Sequence, residues 1–253
     1  MTKILGIETS TKVCSVALID EDEISGEITL NIPHIHVEQL VVMINNLLSN
    51  LHLSYGDLDA VGVSSGPGSF TGLRIGLSVA KGIAFALDKK LIAVPTLDAI
   101  AYAMYGFGDR KTIVPILHAR AEEFYYASFK LEGKELTLTR AYKSGSAEEI
   151  ASEFADGQVH GFAGDTILIG EGIQKFSKHV QADSFEKNAK ASFVESTLIN
   201  LPASARNVAF LAARKFKIND FADLKSLVPL YVKDFVALKK NSFRNLSSLK
   251  SGV

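Results

Sequence analysis

A single cysteine, Cys14, in 253 residues leaves no partner for an internal disulfide and no thiolate set for a metal knuckle. A dominant charge is missing too. The chain carries 27 Lys and Arg against 28 Asp and Glu, so no global field draws it to nucleic acid or to an anionic membrane. No apolar run approaches the length of a membrane span. Met1-Thr2-Lys3 leads straight into an apolar strand and not into a secretory leader. These absences predict a cytoplasmic protein with no membrane segment. What remains, 47% hydrophobic and 22% charged residues, describes a globular chain long enough for two lobes.

The most informative stretch runs from Ala60 to Leu87. The apolar run Ala60–Val63 predicts a strand, and Ser64-Ser65-Gly66-Pro67-Gly68 predicts a tight turn. A long helix follows, with Ser69 or Thr71 as its N-cap, and then a buried strand at Leu91–Val94. That order is a parallel crossover unit. Phe70, Leu73, Ile75, Leu77, Val79, Ile83, Phe85 and Leu87 go all the way round the helix, which predicts burial on both sides. Gly72, Gly76 and Ala80 recur every four residues and form a shallow trough. Either this chain's own sheet or a partner subunit could occupy that trough, and the doubly apolar helix favours the partner.

Upstream, Lys3–Glu8, Val13–Ile19 and Ile24–Leu30 predict a three-strand antiparallel meander. His34–Leu51 predicts an amphipathic helix with Val37, Leu40, Val41, Ile44, Leu47, Leu48 and Leu51 on one stripe. Val42 and Met43 lie off that stripe or on its edge, which implies a second, partly covered face. Pro95–Tyr105 predicts another helix, and Gly106-Phe107-Gly108 a lobe boundary. The expected lobes are residues 1–107 and 108–236, with a basic tail at 237–253.

The second lobe opens like the first. Ile113–His118, a turn, and Glu123–Phe129 repeat the strand–turn–strand opening at an offset of about 110 residues. In that alignment Glu8 falls on His118, Thr9 on Ala119, Cys14 on Phe124 and Ala17 on Ala127. Leu136–Tyr142 and Thr166–Ile169 predict further strands. Ser146–Phe154, Ile173–Val180 and Ala203–Lys217 predict helices, the last with Val208, Phe210, Leu211 and Phe216 as core residues. Gln181–Ser196 is poorly patterned, and Leu227–Tyr231 predicts a final extended segment. The tail carries Lys233, Lys239, Lys240, Arg244 and Lys250 against Asp234, and reads as a solvated end or as a contact with RNA phosphates.

Catalytic constellations are incomplete. The glycine loop lacks the lysine–serine ending of a P-loop and the spacing of a dinucleotide fingerprint, and Pro67 removes one amide donor. His34 and His36 stand two apart, and the position four after His36 is Leu40, so no helical metal pair forms. Glu8 follows an apolar strand at a tight turn, a place suited to a catalytic carboxylate. Its counterpart, His118, is not a carboxylate, so a paired-carboxylate mechanism has no second member. No serine sits in a nucleophile elbow, which disfavours a peptidase, and Cys14 alternates with apolar neighbours as core. Glu8 and Ser10 remain the only cofactor-binding candidates.

Three segments, ILGIETSTKVCSVALID, SSGPGSFTGLRIGLSVAKGIAFAL and VPLYVKDF, resemble the TsaB (YeaZ) family, a bacterial subunit of the complex that forms N6-threonylcarbamoyladenosine in tRNA. The resemblance implies an α/β fold of the actin/sugar-kinase/Hsp70-like (ASKHA) type, with two duplicated RNase H-like lobes. It implies a non-catalytic scaffold that pairs with a TsaD-like catalytic subunit and is joined by a TsaE-like ATPase, while TsaC supplies threonylcarbamoyl-adenylate. It also implies a homodimer in isolation, tRNA met only through the complex, no metal and no cofactor held alone, and ATP with Mg only in the partner complex. The implied partner face is built from Val37–Leu51 and Phe70–Leu87, with His36, Leu40, Met43, Phe70, Gly72, Leu73, Gly76 and Ala80 as contacts. His118 departs from the family, which has aspartate before Ala119-Arg120. A metal-dependent ATPase or phosphotransferase using Glu8 and the inter-lobe cleft is the alternative.

Overall fold

The computed structural model describes residues 2–32, 35–107, 111–133, 135–155, 166–182 and 197–232. His34, most of Gln181–Ser196, the Gly108–Arg110 part of the expected boundary and the basic tail lie outside them. The first sheet holds β1 (Lys3–Glu8), β2 (Cys14–Asp20), β3 (Glu23–Leu30), β4 (Ala60–Gly66) and β5 (Lys90–Pro95), in the order β3-β2-β1-β4-β5. β1 and β4 pair in parallel at its centre and are covered on both faces, which is why both read as continuous apolar runs. β3 lies at the edge and alternates exposed with half-buried residues. Helices α1 (His36–Asn50) and α2 (Phe70–Ala86) cover one face, where Leu40, Ile44, Leu47 and Leu77 meet Leu5, Ile7 and Val16.

The second sheet holds β6 (Lys111–His118), β7 (Glu123–Glu132), β8 (Glu135–Ser146), β9 (Thr166–Ile169) and β10 (Thr197–Ile199), in the order β10-β9-β6-β7-β8. Read from the other edge, this repeats the first sheet strand for strand, so the duplication is real. Its alignment needs one correction. Glu8 pairs with Ser15 across the first turn, and His118 with Phe124 across the second. The second turn is one residue shorter, so Phe124 stands opposite Ser15 and not Cys14, and Ala127 corresponds to Leu18 and not Ala17. Glu8 and His118 keep their equivalence. Helices α4 (Ala147–Ala155) and α5 (Ile173–Ala182) cover this sheet as α1 and α2 cover the first. The sequence gives no sign of β10, because three residues are too few to show a period.

The remaining helices exchange lobes. α3 (Thr96–Tyr102) follows the first sheet in the chain, yet Leu97, Ile100 and Ala101 pack among Ile113, Leu117, Ala127 and Phe129 of the second. α6 (Ala205–Lys217) follows the second sheet and packs on the first. There Ala205, Ala209 and Ala212 lie against Ile4, Ala17 and Val94. The approach is close: a Cβ on Gly62 would come 2.5 Å from Ala212 Cβ, and one on Gly6 would come 2.6 Å from the Ala205 carbonyl oxygen. Ser15 Oγ accepts the Ala205 amide at 2.8 Å. The expected division at residue 108 is thereby corrected, since 205–232 belong with the first sheet.

After α6 the chain runs back over the first lobe. Ala222 N donates to Leu91 O at 2.8 Å, and Leu230 N donates to Ser65 O at 2.7 Å. Lys81 Nζ reaches Leu227 O at 2.6 Å, and Tyr231 packs on Phe70 with ring centroids 5.7 Å apart. Gly66 sits at φ 109°, and its absent Cβ leaves room for Leu230 O, which would lie 2.8 Å from it. A chain ending at Ser226 should therefore lose about 2–4 kcal/mol in urea denaturation, from one to two half-buried side chains and two hydrogen bonds. A loss below about 1 kcal/mol would show that the strap does not hold α2.

Candidate functional site

The β1–β2 turn and the glycine loop are built against each other. Ser69 N donates to Ser10 O at 2.6 Å, and Thr9 Oγ1 donates to Gly72 O at 2.8 Å. Ser69 caps α2, its Oγ accepting the Gly72 amide at 3.2 Å. A Cβ on Gly68 would strike Ser10 O, one on Gly72 would strike Thr9 O, and one on Gly76 would strike Thr9 Oγ1. The glycines thus let α2 touch the backbone of the turn, and the loop's amides meet the chain itself. That fits the structural reading of this loop over a phosphate cradle.

Beside this junction a cleft of about 680 Å³ opens between the two sheets. Ser10, Thr11, Lys12, His36 and Phe70 line it from one lobe, and His118, Arg120, Tyr125 and Glu171 from the other. Tyr231 closes one side, packed on Phe70, whose ring also takes the Arg74 guanidinium at 3.7 Å. Glu171 stands in the turn between β9 and α5 and hydrogen-bonds the Thr11 hydroxyl across the cleft. Burial raises its pKa, and Lys12 and His118 oppose that rise. Lys175 Nζ donates to His118 Nε2 at 2.6 Å.

Glu8 does not open into the cleft. It is fully buried beneath the turn, with Oε1 accepting the Ser10 amide at 2.5 Å. Burial pushes its carboxyl up to about 7. The Ser10 and Ser64 hydroxyls and the Ser10 amide pull it down, and Glu171 adds to the rise. Ser10 is 1% exposed and lies at the cleft wall. Cys14 is core, and burial lifts its thiol to about 11. His36 Nε2 lies 3.2 Å from Val13 O, and His36 stays buried at the start of α1. No group of three or more His, Cys, Asp or Glu suited to a metal occurs among the described residues.

The residues expected at a partner face are mostly elsewhere. His36, Leu40, Met43, Gly72, Leu73, Gly76 and Ala80 are all buried in the single chain. Only Phe70 of the eight is half-exposed, at the cleft rim. The trough seals against Thr9, so this chain's own β1–β2 turn fills it. Nor is α2 covered on both sides, since Phe85 is 81% exposed and Arg74 and Ser78 face solvent. The outward side of the two helices instead presents Val37 (71% exposed), Val41, Val42 and Phe85, with Ile75 and Val79 half-buried beside them. The apolar stripe misses this set because it assigns Val37 and Val41 inward. Val42, off the stripe, is the available signal. Glu171 escapes a sequence reading because it shows only as the end of a strand.

A family model described as TsaD, tRNA N6-adenosine threonylcarbamoyltransferase, matches residues 31–240. The tRNA threonylcarbamoyladenosine biosynthesis protein TsaB of Escherichia coli (strain K12) is 26% identical over 94% of this chain and 97% of its own length. The TsaB of Haemophilus influenzae is 35% identical over 49% of this chain and 52% of its own. A crystal structure from Pseudomonas aeruginosa, described as an uncharacterized protein with similarity to peptidase YEAZ, is similar with a TM-score of 0.77 at 25% identity. It covers 92% of this chain and 100% of that one. The duplicated sheets are those of the ASKHA fold, and no helix among the described residues is long and apolar enough to cross a membrane. A match over so much of the chain, on this fold, makes the protein a member of the TsaD family, tRNA N6-adenosine threonylcarbamoyltransferase, among its TsaB (YeaZ) relatives.

Proposed function

We propose that the protein is a TsaB-type subunit in the synthesis of N6-threonylcarbamoyladenosine in tRNA, holding a TsaD-like catalytic relative and not carrying out the transfer itself. One observation carries this reading: Val37, Val41, Val42 and Phe85 stand exposed on the outward side of α1 and α2. A contiguous apolar face on a paired-helix surface is the mark of a docking site. The same face serves a second copy when the catalytic partner is absent. A TsaE-like ATPase joins the assembled pair, tRNA is met through the complex, and ATP with Mg enters there and not on the isolated chain.

Mixing the purified chain with the TsaD-type protein of the same organism should give one stable complex by gel filtration. It should form the modified nucleoside once the threonylcarbamoyl donor and the TsaE-type protein are added. Val41→Arg places a charge in the contact and should weaken the pairing about ten- to a hundredfold. The isolated variant should keep its circular dichroism and melting temperature, because Val41 is 46% exposed. Wild-type affinity in Val41→Arg would move the interface elsewhere, and no complex from the wild-type chain would end the reading.

A further inference from the structure

Five buried side-chain oxygens among the described residues have no hydrogen-bond partner, and three of them gather at one end of the cleft: Glu8 Oε2, Ser10 Oγ and Glu171 Oε2. Buried acceptors are almost always satisfied, and a cluster that is not calls for a ligand. Glu8 is 0% exposed and Ser10 is 1% exposed. The Ser10 amide ties Glu8 to the turn, and Glu171 reaches the same turn from the second lobe through Thr11. Ser10 and Glu171 both line the cleft.

We propose that this end of the cleft is a binding site for a single hard divalent cation, shared between the two lobes and occupied without nucleotide. Two carboxylate oxygens and one hydroxyl are hard donors suited to Mg, Ca or Mn. A magnesium-like ion keeps several waters and takes one or two carboxylates. A deeply placed pair of carboxylates beside an open cleft matches that need. Lys12 and His118 face Glu171 and compete with the ion. The site is thus a contest between a tethered ammonium and a free cation, which makes Lys12 the residue that sets its affinity. This departs from the expectation that the chain holds no metal. It does not depend on the partner face.

Mn serves as the probe because its free form has a sharp paramagnetic resonance signal that binding removes. The full chain, freed of metal with a chelator and exchanged into clean buffer at pH 8, should remove one equivalent of that signal, and added Mg should restore it. Glu171→Gln, near-isosteric and only half-buried, should weaken Mn binding about tenfold or more, whereas Lys12→Met should tighten it. Circular dichroism and melting of the metal-free variants check that both fold. No Mn bound by the wild-type chain overturns the proposal, and so does Glu171→Gln binding Mn as tightly as wild type. Binding of several equivalents, unchanged by either substitution, marks adventitious surface sites and overturns it equally.

Discussion

Gly72→Ala is expected to cost about 3 kcal/mol or more in urea denaturation, while Gly82→Ala, ten residues along the same helix, is expected to add about 0.5–1 kcal/mol. The two differ only in what faces them. A methyl on Gly72 would land on the carbonyl oxygen of Thr9, and backbone cannot swing aside as a flexible side chain can. The helix would have to lift from the β1–β2 turn, breaking the bonds from Ser69 N to Ser10 O and from Thr9 Oγ1 to Gly72 O. Gly82 has nothing within 4 Å of where its Cβ would be, so alanine there only removes backbone freedom from the unfolded chain. Similar small effects at both sites would mean that α2 does not rest on Thr9. Gly76→Leu, which a partner-facing trough would make a clean probe of association, becomes instead a folding defect, because its side chain would enter the Thr9 hydroxyl.

In metal-free buffer the chain should lose about 3 kcal/mol of stability between about pH 4.5 and pH 8 through Glu8 alone. Its carboxyl titrates at 4.5 when solvated, as in the unfolded chain, and at about 7 in the fold, chiefly because burial disfavours the charge. Below the lower of these values the group is protonated in both states, and its contribution is fully present. As pH rises, the unfolded chain ionises first, so the folded state loses ground until both are ionised just above the higher one. Glu8→Gln cannot ionise and should flatten that slope. At about pH 8 it should be more stable than wild type by about 2 kcal/mol, the amide's own burial taking back part of the gain. Urea titrations of both proteins at either end of this range check the difference. Parallel pH profiles would show that Glu8 is solvated.

These two positions also show where a sequence reading stops. That Glu8 ends a strand at a tight turn is legible from composition and order. Whether its carboxylate meets solvent is not, because Glu171 and the second lobe close over the turn from 163 positions away. The glycine spacing on α2 is legible as close packing. Its partner is not, because a Cβ-free stripe admits a neighbouring backbone equally well within a chain or between chains. The outward valines escape for a related reason. Val37 and Val41 fit the apolar stripe of α1, and only the packing of that helix against β2 and α2 turns Leu40, Ile44 and Leu47 inward and leaves the valines outside.

Local physics determined the strands, the crossover unit, the Ser69 cap and the repeated opening, since each depends on periodicity or turn chemistry contained in a few consecutive residues. Only the tertiary structure decided which lobe each helix serves. The alanine face of α6 could pack on any closely approachable sheet, and Gly6 and Gly62 made it the first one. The strap that returns Leu230 to Ser65 is likewise a long-range pairing. No window of sequence contains both of its ends.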